Sequence, residues 1–378
     1  MYIGVILSDK SGNKVFCSLV RIADYHKIQP LPYMVLTIII MDENKFKKYN
    51  SIEQVYNKIY LDKVTKKFGN EKFSVSEKVH GANCCFVCDG SSISFQKRTS
   101  VVKEGESFYG YKDVMEKYRN AIYGVFDFMS KEYGSIETVY LFGEYFGGIY
   151  AVDGKVKADN AVQKGVYYCP QHEFYGFDIF VSCKDEKHFY IDVEHCEETY
   201  KRFGFIYAET LFKGNLDECL GYSNEFQSTI PKKFGLHDIK DNICEGIVIK
   251  PMKPLYIGDS RVIFKSKNKK FSEIKNNHRE NKKIRSLQDE NPILAEIVND
   301  AERYITKNRL DNTLSKLGEI EMPKEIGKVF KLFSEDVMDE FKKINFDYSK
   351  QVEADQNTMR KKIVYKCNCF VTKNLLKY

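Results

Sequence analysis

The hydrophobic pattern of this chain changes period once, and that change constrains the fold more than any other feature. From Lys72 to about Phe271, apolar and aromatic strand-like runs alternate with short turns. Helical stretches interrupt them at Val114 to Glu132 and at Glu194 to Phe203. Further on, Ile293, Leu294, Ile297, Val298, Ala301, Tyr304 and Ile305 recur at helical spacing, and the whole 286–378 tail reads as helical. A strand-rich body followed by a helical block predicts an α+β architecture with an all-helical C-terminal domain. Upstream, helical signs dominate Asn44 to Lys67. Residues 1–42 form a leader in which Val5-Ile6-Leu7 and Val15 to Ile22 flank Ser11-Gly12-Asn13, a hairpin signal. The predicted divisions are 1–42, 43–285 and 286–378, and 378 residues suffice for two or three domains.

Composition excludes some function classes and leaves others open. No apolar run approaches the roughly 18 residues that span a bilayer, so no membrane role is expected; the longest, Val35 to Met41, has strand length. A net charge of +6 decides little about partners, so local clusters must. The densest is 265–285, with nine Lys/Arg against two Glu, which suits either a solvated linker or a phosphate-facing segment. Eleven cysteines and an opening Met1-Tyr2-Ile3-Gly4-Val5 without a basic start predict reduced thiols in the cytoplasm or nucleus, with mitochondria left open. Cys85 and Cys88 form a C-x-x-C, and Cys367 and Cys369 a C-x-C. Zinc would require these distant pairs to meet, and buried thiols are the better reading.

Residues with chemical potential gather in five short islands. The first is Glu77-Lys78-Val79-His80-Gly81-Ala82-Asn83, where a lysine ends a strand and a glycine three residues later lets a phosphate approach the backbone. The second, Phe95-Gln96-Lys97-Arg98-Thr99, puts two cations on a strand. The third, Leu141-Phe142-Gly143-Glu144-Tyr145-Phe146-Gly147-Gly148, sets one carboxylate among apolar and glycine residues. The fourth is Phe174-Tyr175-Gly176-Phe177-Asp178-Ile179. The fifth pairs Cys244-Glu245-Gly246-Ile247-Val248-Ile249-Lys250 with Val262-Ile263-Phe264-Lys265-Ser266-Lys267, whose two lysines at i, i+2 share a strand face. Singly, each island is better explained as a turn, a surface ladder or a core strand. Together and in this order, the bland account needs five coincidences.

The ordered set resembles the nucleotidyltransferase motifs of covalent ligases and capping enzymes. Lys78-Val79-His80-Gly81 with Asn83 is similar to the RNA ligase 2 family, whereas DNA ligases and capping enzymes typically carry Asp at the position of His80. Phe46-Lys47-Lys48-Tyr49, Gln163-Lys164, and Asn308-Arg309-Leu310 through Ser315-Lys316-Leu317-Gly318-Glu319-Ile320 resemble further family segments, so the resemblance covers about 43–378. It implies an ATP-grasp-like nucleotidyltransferase domain of antiparallel sheets with flanking helices, followed by a helical RNA-binding domain. It also implies an ATP-dependent RNA ligase that seals 3′-hydroxyl and 5′-phosphate ends, most naturally nicks in duplex RNA, through lysyl-AMP and RNA-adenylate. A DNA ligase, a GTP-dependent capping enzyme and an inactive RNA-binding scaffold are the alternatives.

By the same resemblance, Lys78 is the nucleophile, Phe177 stacks on adenine and the Glu77–Lys78 backbone reads its edge. Arg98 and Glu144 hold ribose hydroxyls, and Asn83 orients phosphate or metal waters. His80 belongs to the nucleotide site without a deducible role, and Asp178 is read as structural. Lys97, Gln163 and Tyr49 are RNA-contact candidates. The implied cofactors are ATP and magnesium or manganese, with Glu245 as the metal carboxylate; the implied partners are RNA ends, with a monomer and no required protein partner expected. An ordinary lysine has a pKa near 10.4, leaving roughly one molecule in 2,500 neutral at pH 7. Lys265 and Lys267 are expected to face the same pocket, disfavour a third ammonium there and neutralise the α-phosphate. Nucleotide chemistry is thus expected to be complete by Lys267, with the tail serving RNA. The stretch Tyr150 to Val162 is longer than the family pattern and is expected to form a loop.

Overall fold

The computed structural model describes residues 2–8, 14–21, 35–40, 46–152, 155–158, 160–274 and 292–376. The chain forms two compact units, Met1–Lys47 and Lys48–Tyr378. In the first, β1 (Tyr2–Ser8) pairs antiparallel with β2 (Lys14–Arg21), and β3 (Val35–Ile40) joins the other edge of β1. The hairpin anticipated in the leader is present with a third strand added; its turn lies outside the described residues.

The second unit is built on two sheets. Its strands, in chain order, are β4 (Glu53–Gln54), β5 (Phe73–Lys78), β6 (Ala82–Cys88), β7 (Ile93–Lys97), β8 (Ser100–Val101), β9 (Ile136–Gly147), β10 (Ile149–Val152), β11 (Lys155–Ala158), β12 (His172–Cys183) and β13 (His188–Tyr190). They continue with β14 (Ile206–Tyr207), β15 (Thr210–Gly214), β16 (Gly246–Pro251), β17 (Tyr256–Ile257), β18 (Ser260–Arg261) and β19 (Phe264–Lys267). One sheet runs β13-β12-β9-β6-β7-β8 with β14 against β12, and the other runs β15-β5-β16-β19-β4. Nearly all the pairings are antiparallel; β14 on β12 and β4 on β19 are parallel. The stretch expected to be a loop after Gly148 instead contains the β10–β11 hairpin.

Helix α1 (Lys58–Phe68) precedes β5, α2 (Tyr111–Tyr133) and α3 (Val193–Arg202) cover the larger sheet, and α4 (Leu216–Leu220) and α5 (Ile230–Lys233) lie in the loops before β16. Val114, Ile122, Val125 and Met129 of α2 are buried against Phe86, Leu141 and Val181, which explains their helical spacing. The helical signs over Asn44–Lys67 overreach, because α1 starts only at Lys58. Glu53 donates its N–H to the Ile263 carbonyl, so β4 adds an edge to the sheet, and the Asn57 side chain then caps α1 by accepting from the Tyr60 N–H. Sheet pairing overrides local propensity there.

The C-terminal region is helical as expected: α6 (Pro292–Ala301), α7 (Lys307–Leu317), α8 (Ile326–Ile344), α9 (Phe346–Lys350) and α10 (Glu353–Leu375). Val298, Leu310, Val329, Phe333, Val337, Phe341, Met359 and Ile363 form its core, a separate cluster from those of the sheets. Most of the basic run 265–285 lies outside the described residues.

An ionic knot joins the two sheets. Asp178 of β12, 1% exposed, accepts from Arg261 Nη1 at 2.9 Å and Nη2 at 3.0 Å, from Lys250 Nζ of β16 at 3.2 Å and from the Tyr49 hydroxyl. The Arg261 guanidinium also stacks 3.8 Å from the Tyr190 ring centre. Burial pushes the Asp178 carboxyl up, but Arg261 and Lys250 prevail and hold it at about 2. A bidentate pair of this kind repays its dehydration only with both partners present. Asp178→Ala should therefore cost about 3–5 kcal/mol of stability in denaturant titration. Because the folded value lies below the ordinary 3.8, the stabilisation is present above pH 4 and disappears as pH falls toward 2; Asp178→Asn should lack that acid-dependent step.

Candidate active site

The site grows from the ends of three neighbouring strands. Gly246 pairs with Lys78 on one side and with Lys267 on the other, so both lysines stand abreast across the sheet. Gly246 has φ 152°, and a Cβ there would lie 2.0 Å from the Ser266 carbonyl oxygen; any side chain would push β19 away. After Lys78 the chain turns through Val79-His80-Gly81 into β6. A Cβ on Gly81 would lie 2.2 Å from the Tyr145 carbonyl, so the turn lies flat against β9. The turn is anchored twice, by the His80 N–H donating to the Tyr168 hydroxyl at 2.8 Å and by the Gly81 N–H donating to Glu144 Oε1 at 3.2 Å.

Glu245, immediately before β16 and 1% exposed, is the electrostatic centre. Its Oε2 lies 2.8 Å from Lys78 Nζ and 3.4 Å from His80 Nδ1, and its Oε1 lies 2.8 Å from Lys267 Nζ. Burial raises its pKa, but Lys267, then Lys78 and His80, outweigh that and hold the carboxyl well below the usual range. Lys267 also contacts Glu273 Oε1 at 2.6 Å; burial lowers its pKa, and Glu245 with Glu273 reverses that to a net rise. Lys265 moves the other way, lowered first by burial and further by Lys267 and Lys78, against the pull of Glu273 and Glu340. Burial is also the main reason that Glu144 is pushed up to about 7; Glu245 adds to the rise, and Lys78 opposes it.

The larger sheet supplies the opposite wall. Asn83 and Glu144 are cross-strand partners on β6 and β9. Phe177 is the extra residue where the β12–β9 register slips between Gly176 and Asp178, and this bulge aims its ring into the cavity while Asp178 stays in the core. The ring meets Tyr49 edge-on at 5.0 Å. Arg98 Nη1 donates to the Tyr49 carbonyl at 2.6 Å. Glu77 has its own anchor: its carboxylate accepts from Ser228 Oγ at 2.7 Å and from the Thr229 N–H and Oγ1 at 2.8 and 2.7 Å, while burial raises its pKa.

Glu77, Lys78, His80, Asn83, Arg98, Glu144, Phe177, Glu245, Lys265 and Lys267 all line one cavity of about 920 Å³, so the five islands meet. Tyr49 borders it as well, but its hydroxyl is committed to Asp178. Lys97 and Gln163 are not among its lining residues. Lys97 pairs with Glu106 and donates to the Leu317 carbonyl, and Gln163 donates to the Asp311 carbonyl and Asn312 Oδ1, so both tie the body to α7. Sequence reading missed Tyr168, Ser228, Thr229 and Glu273. It also missed that α7 and α8 face the same cavity through Arg309, Asn312, Lys316, Asp336 and Glu340. Only Glu273 had a visible signal, as one of two acids in the basic run.

Among the described residues no cluster of three or more His, Cys, Asp or Glu could cage a metal. Glu245 Oε1 nevertheless has no hydrogen bond of good geometry beyond its contact with Lys267. A buried carboxylate oxygen with spare capacity fits magnesium, which keeps several waters and takes one or two carboxylates together with substrate phosphates. Cys84, Cys85 and Cys88 are buried along β6.

The RNA ligase family model matches residues 71–267, and the model of the T4 RNA ligase 2 C-terminal region matches residues 288–369. Among curated proteins the chain is 25% identical over 272 residues to the mitochondrial RNA-editing ligase 1 of Trypanosoma brucei brucei, covering 64% of this chain and 55% of that protein. It is 26% identical over 212 residues to the same-named protein of strain 927/4 GUTat10.1, covering 48% and 45%. The chain thus spans about half the length of the curated relatives it matches. Among solved structures it is similar to a Naegleria gruberi RNA ligase mutant with ATP and Mn, at 14% identity and TM-score 0.38 over 71% of this chain and 74% of that one. A Naegleria gruberi RNA ligase with PPi aligns at 12% identity and TM-score 0.38, over 71% and 75%. With the first family model spanning more than half of its residues and the second matching its helical region, this chain belongs to the RNA ligase family.

Proposed function

We propose that this chain is an ATP-dependent RNA ligase that joins a 3′-hydroxyl to a 5′-phosphate, most naturally at a nick in duplex RNA. The observation that carries the reading is the placement of Lys78. Its amine stands at the mouth of a buried turn, 2.8 Å from Glu245 and beside Lys267, in a cavity spacious enough for a nucleotide. In the first step the Lys78 nitrogen attacks the α-phosphorus of ATP; the N–P bond forms, the bond to the pyrophosphate oxygen breaks, and the amine gives up its proton. AMP then passes to the RNA 5′-phosphate, and the 3′-hydroxyl displaces it.

Each wall of the cavity has a part in this scheme. Lys78 must shed a proton and its ion pair with Glu245 before attack. Lys267 stands abreast of Lys78 across Gly246, and Lys265, two residues before Lys267 on β19, lines the same cavity. Lys267 is the cation placed to meet charge growing on the α-phosphate. Phe177 offers the aromatic face for the base, and Arg98, Glu144 and Asn83 offer polar groups for the ribose and phosphate. A magnesium or manganese ion, when bound, neutralises polyphosphate charge, and Glu245 is the carboxylate that would hold it or its waters. In this reading the body through residue 285 carries nucleotide transfer, and the helical region adds RNA-binding surface. No described helix is long and apolar enough to cross a membrane.

The test incubates the protein with α-labelled ATP or GTP and magnesium, then offers nicked RNA, nicked DNA and single strands. Label from ATP on the protein and sealing of nicked RNA are expected; transfer from GTP alone, or sealing of DNA alone, would overturn the reading. Lys78→Ala should take up no label, and label retained in that variant would move the nucleophile elsewhere. Glu245→Ala should lose about 10- to 100-fold in activity and respond more weakly to added magnesium, as variants that disturb a metal's surroundings do. Wild-type rates in Glu245→Ala would place the metal on other residues.

A further inference from the structure

Glu273 lies six residues beyond Lys267 and is 7% exposed. Its Oε1 is 2.6 Å from Lys267 Nζ and also accepts from Asn312 Nδ2 of α7, and its Oε2 is 3.5 Å from Arg309 Nη2 of α7. Lys265 is a further cation in its field, and Asp336, which Lys316 also meets at 2.7 Å, Glu340 and the Tyr56 hydroxyl are further titratable groups near this cluster. Arg309 is itself 2% exposed and is held by Asp336 Oδ2 at 2.5 Å and by the Tyr304 carbonyl at 3.0 Å, so α7 presents a fixed guanidinium to the carboxylate.

Lys267 therefore rests between two carboxylates with different duties. Glu245 also serves Lys78 and His80, whereas Glu273 is also contacted by Arg309 and Asn312 of the helical region. When Lys267 turns toward a phosphate, Glu273 can remain its counter-charge without restraining the nucleophile. A buried ammonium stripped of every partner would be costly to keep in place.

We propose that Glu273 is a positioning residue for Lys267, and that Arg309 and Asn312 of α7 act on nucleotide transfer through it. The inference rests on the reading of Lys78 as the adenylylated lysine. It gives the helical region a part in the first chemical step, in addition to any role with RNA. Glu273 and Arg309 form one relay, so their losses overlap: once the carboxylate is gone, the guanidinium has nothing to act through.

The experiment measures single-turnover formation of labelled lysyl-AMP by the full chain across a range of ATP concentrations, for wild type, Glu273→Gln, Arg309→Met and the double variant. Glu273→Gln is expected to slow the step about 100-fold at saturating ATP, the scale of a small misplacement of a catalytic group. Its half-saturating ATP should change little. Arg309→Met should slow the step by less, and should cost nothing more in the Glu273→Gln background. Wild-type speed in Glu273→Gln overturns the proposal. So do multiplying losses in the double variant, or a loss confined to half-saturating ATP. If Glu273→Gln lacks a cooperative melting transition, Asn312→Ala takes its place, since it removes one hydrogen bond from the carboxylate; it must slow the step at saturating ATP, and an unchanged rate overturns the proposal. A wild-type protein that forms no lysyl-AMP would bring down the ligase reading and this one together. A wild type that does form it, matched by Glu273→Gln, would bring down this one alone.

Discussion

The buried Asp178 cluster is the interaction on which the geometry of the site depends. Two antiparallel sheets with apolar faces could pack in many offsets, since hydrophobic contact has little direction. A carboxylate bonded to both Arg261 nitrogens, to Lys250 and to the Tyr49 hydroxyl permits only one. That single offset places the bulge carrying Phe177 opposite the strand ends carrying Lys78 and Lys267. It also draws the Tyr49 backbone to Arg98, whose guanidinium would otherwise lack that anchor at the cavity wall. The cavity is thus a by-product of how the sheets are tied.

Within the cavity, charge balance explains why so many buried ionic groups are tolerated. Glu245 answers Lys78, His80 and Lys267, and Glu273 answers Lys267 and Arg309. Glu245 and Glu273 lie well below their ordinary pKa values because the cations around them outweigh their burial, and Lys265 lies below its own first because it is buried and then because Lys267 and Lys78 stand near it. A network of this kind holds together while every member is paired, and it is poised to rearrange when a polyanion offers the cations new partners. Helices α7 and α8 belong to the same balance, since Arg309, Asp336 and Glu340 border the cavity.

Much of this was legible before any coordinates. The islands around Lys78, Glu144, Phe177, Glu245 and Lys267 are short strings whose residue types are unusual for strand ends, and their order survives in sequence. The reading erred where local signal and tertiary context disagreed. Asn44 to Lys67 looked helical, yet pairing of Glu53–Gln54 with β19 delays the helix to Lys58. Tyr150 to Val162 looked like a loop and contains a hairpin. Lys97 and Gln163, the RNA-contact candidates, lie away from the cavity lining and hydrogen-bond to α7, Lys97 also to Glu106.

The sequence by itself determined the class of fold, the positions of the turns and the inventory of charged groups, because periodicity and residue type are properties of neighbours along the chain. It also carried the pairing of Lys265 with Lys267, since residues two apart on a strand share a face wherever the strand lies. Only the tertiary structure decided which carboxylate would meet which cation. Glu245 reaches Lys78 across 167 positions and Glu273 reaches Arg309 across 36, and nothing in either local string names its partner. Those choices follow from register across Gly246, from the offset imposed at Asp178 and from the docking of α7. Each is a long-range consequence of packing, where the cost of burying an unpaired charge selects the arrangement that pairs it.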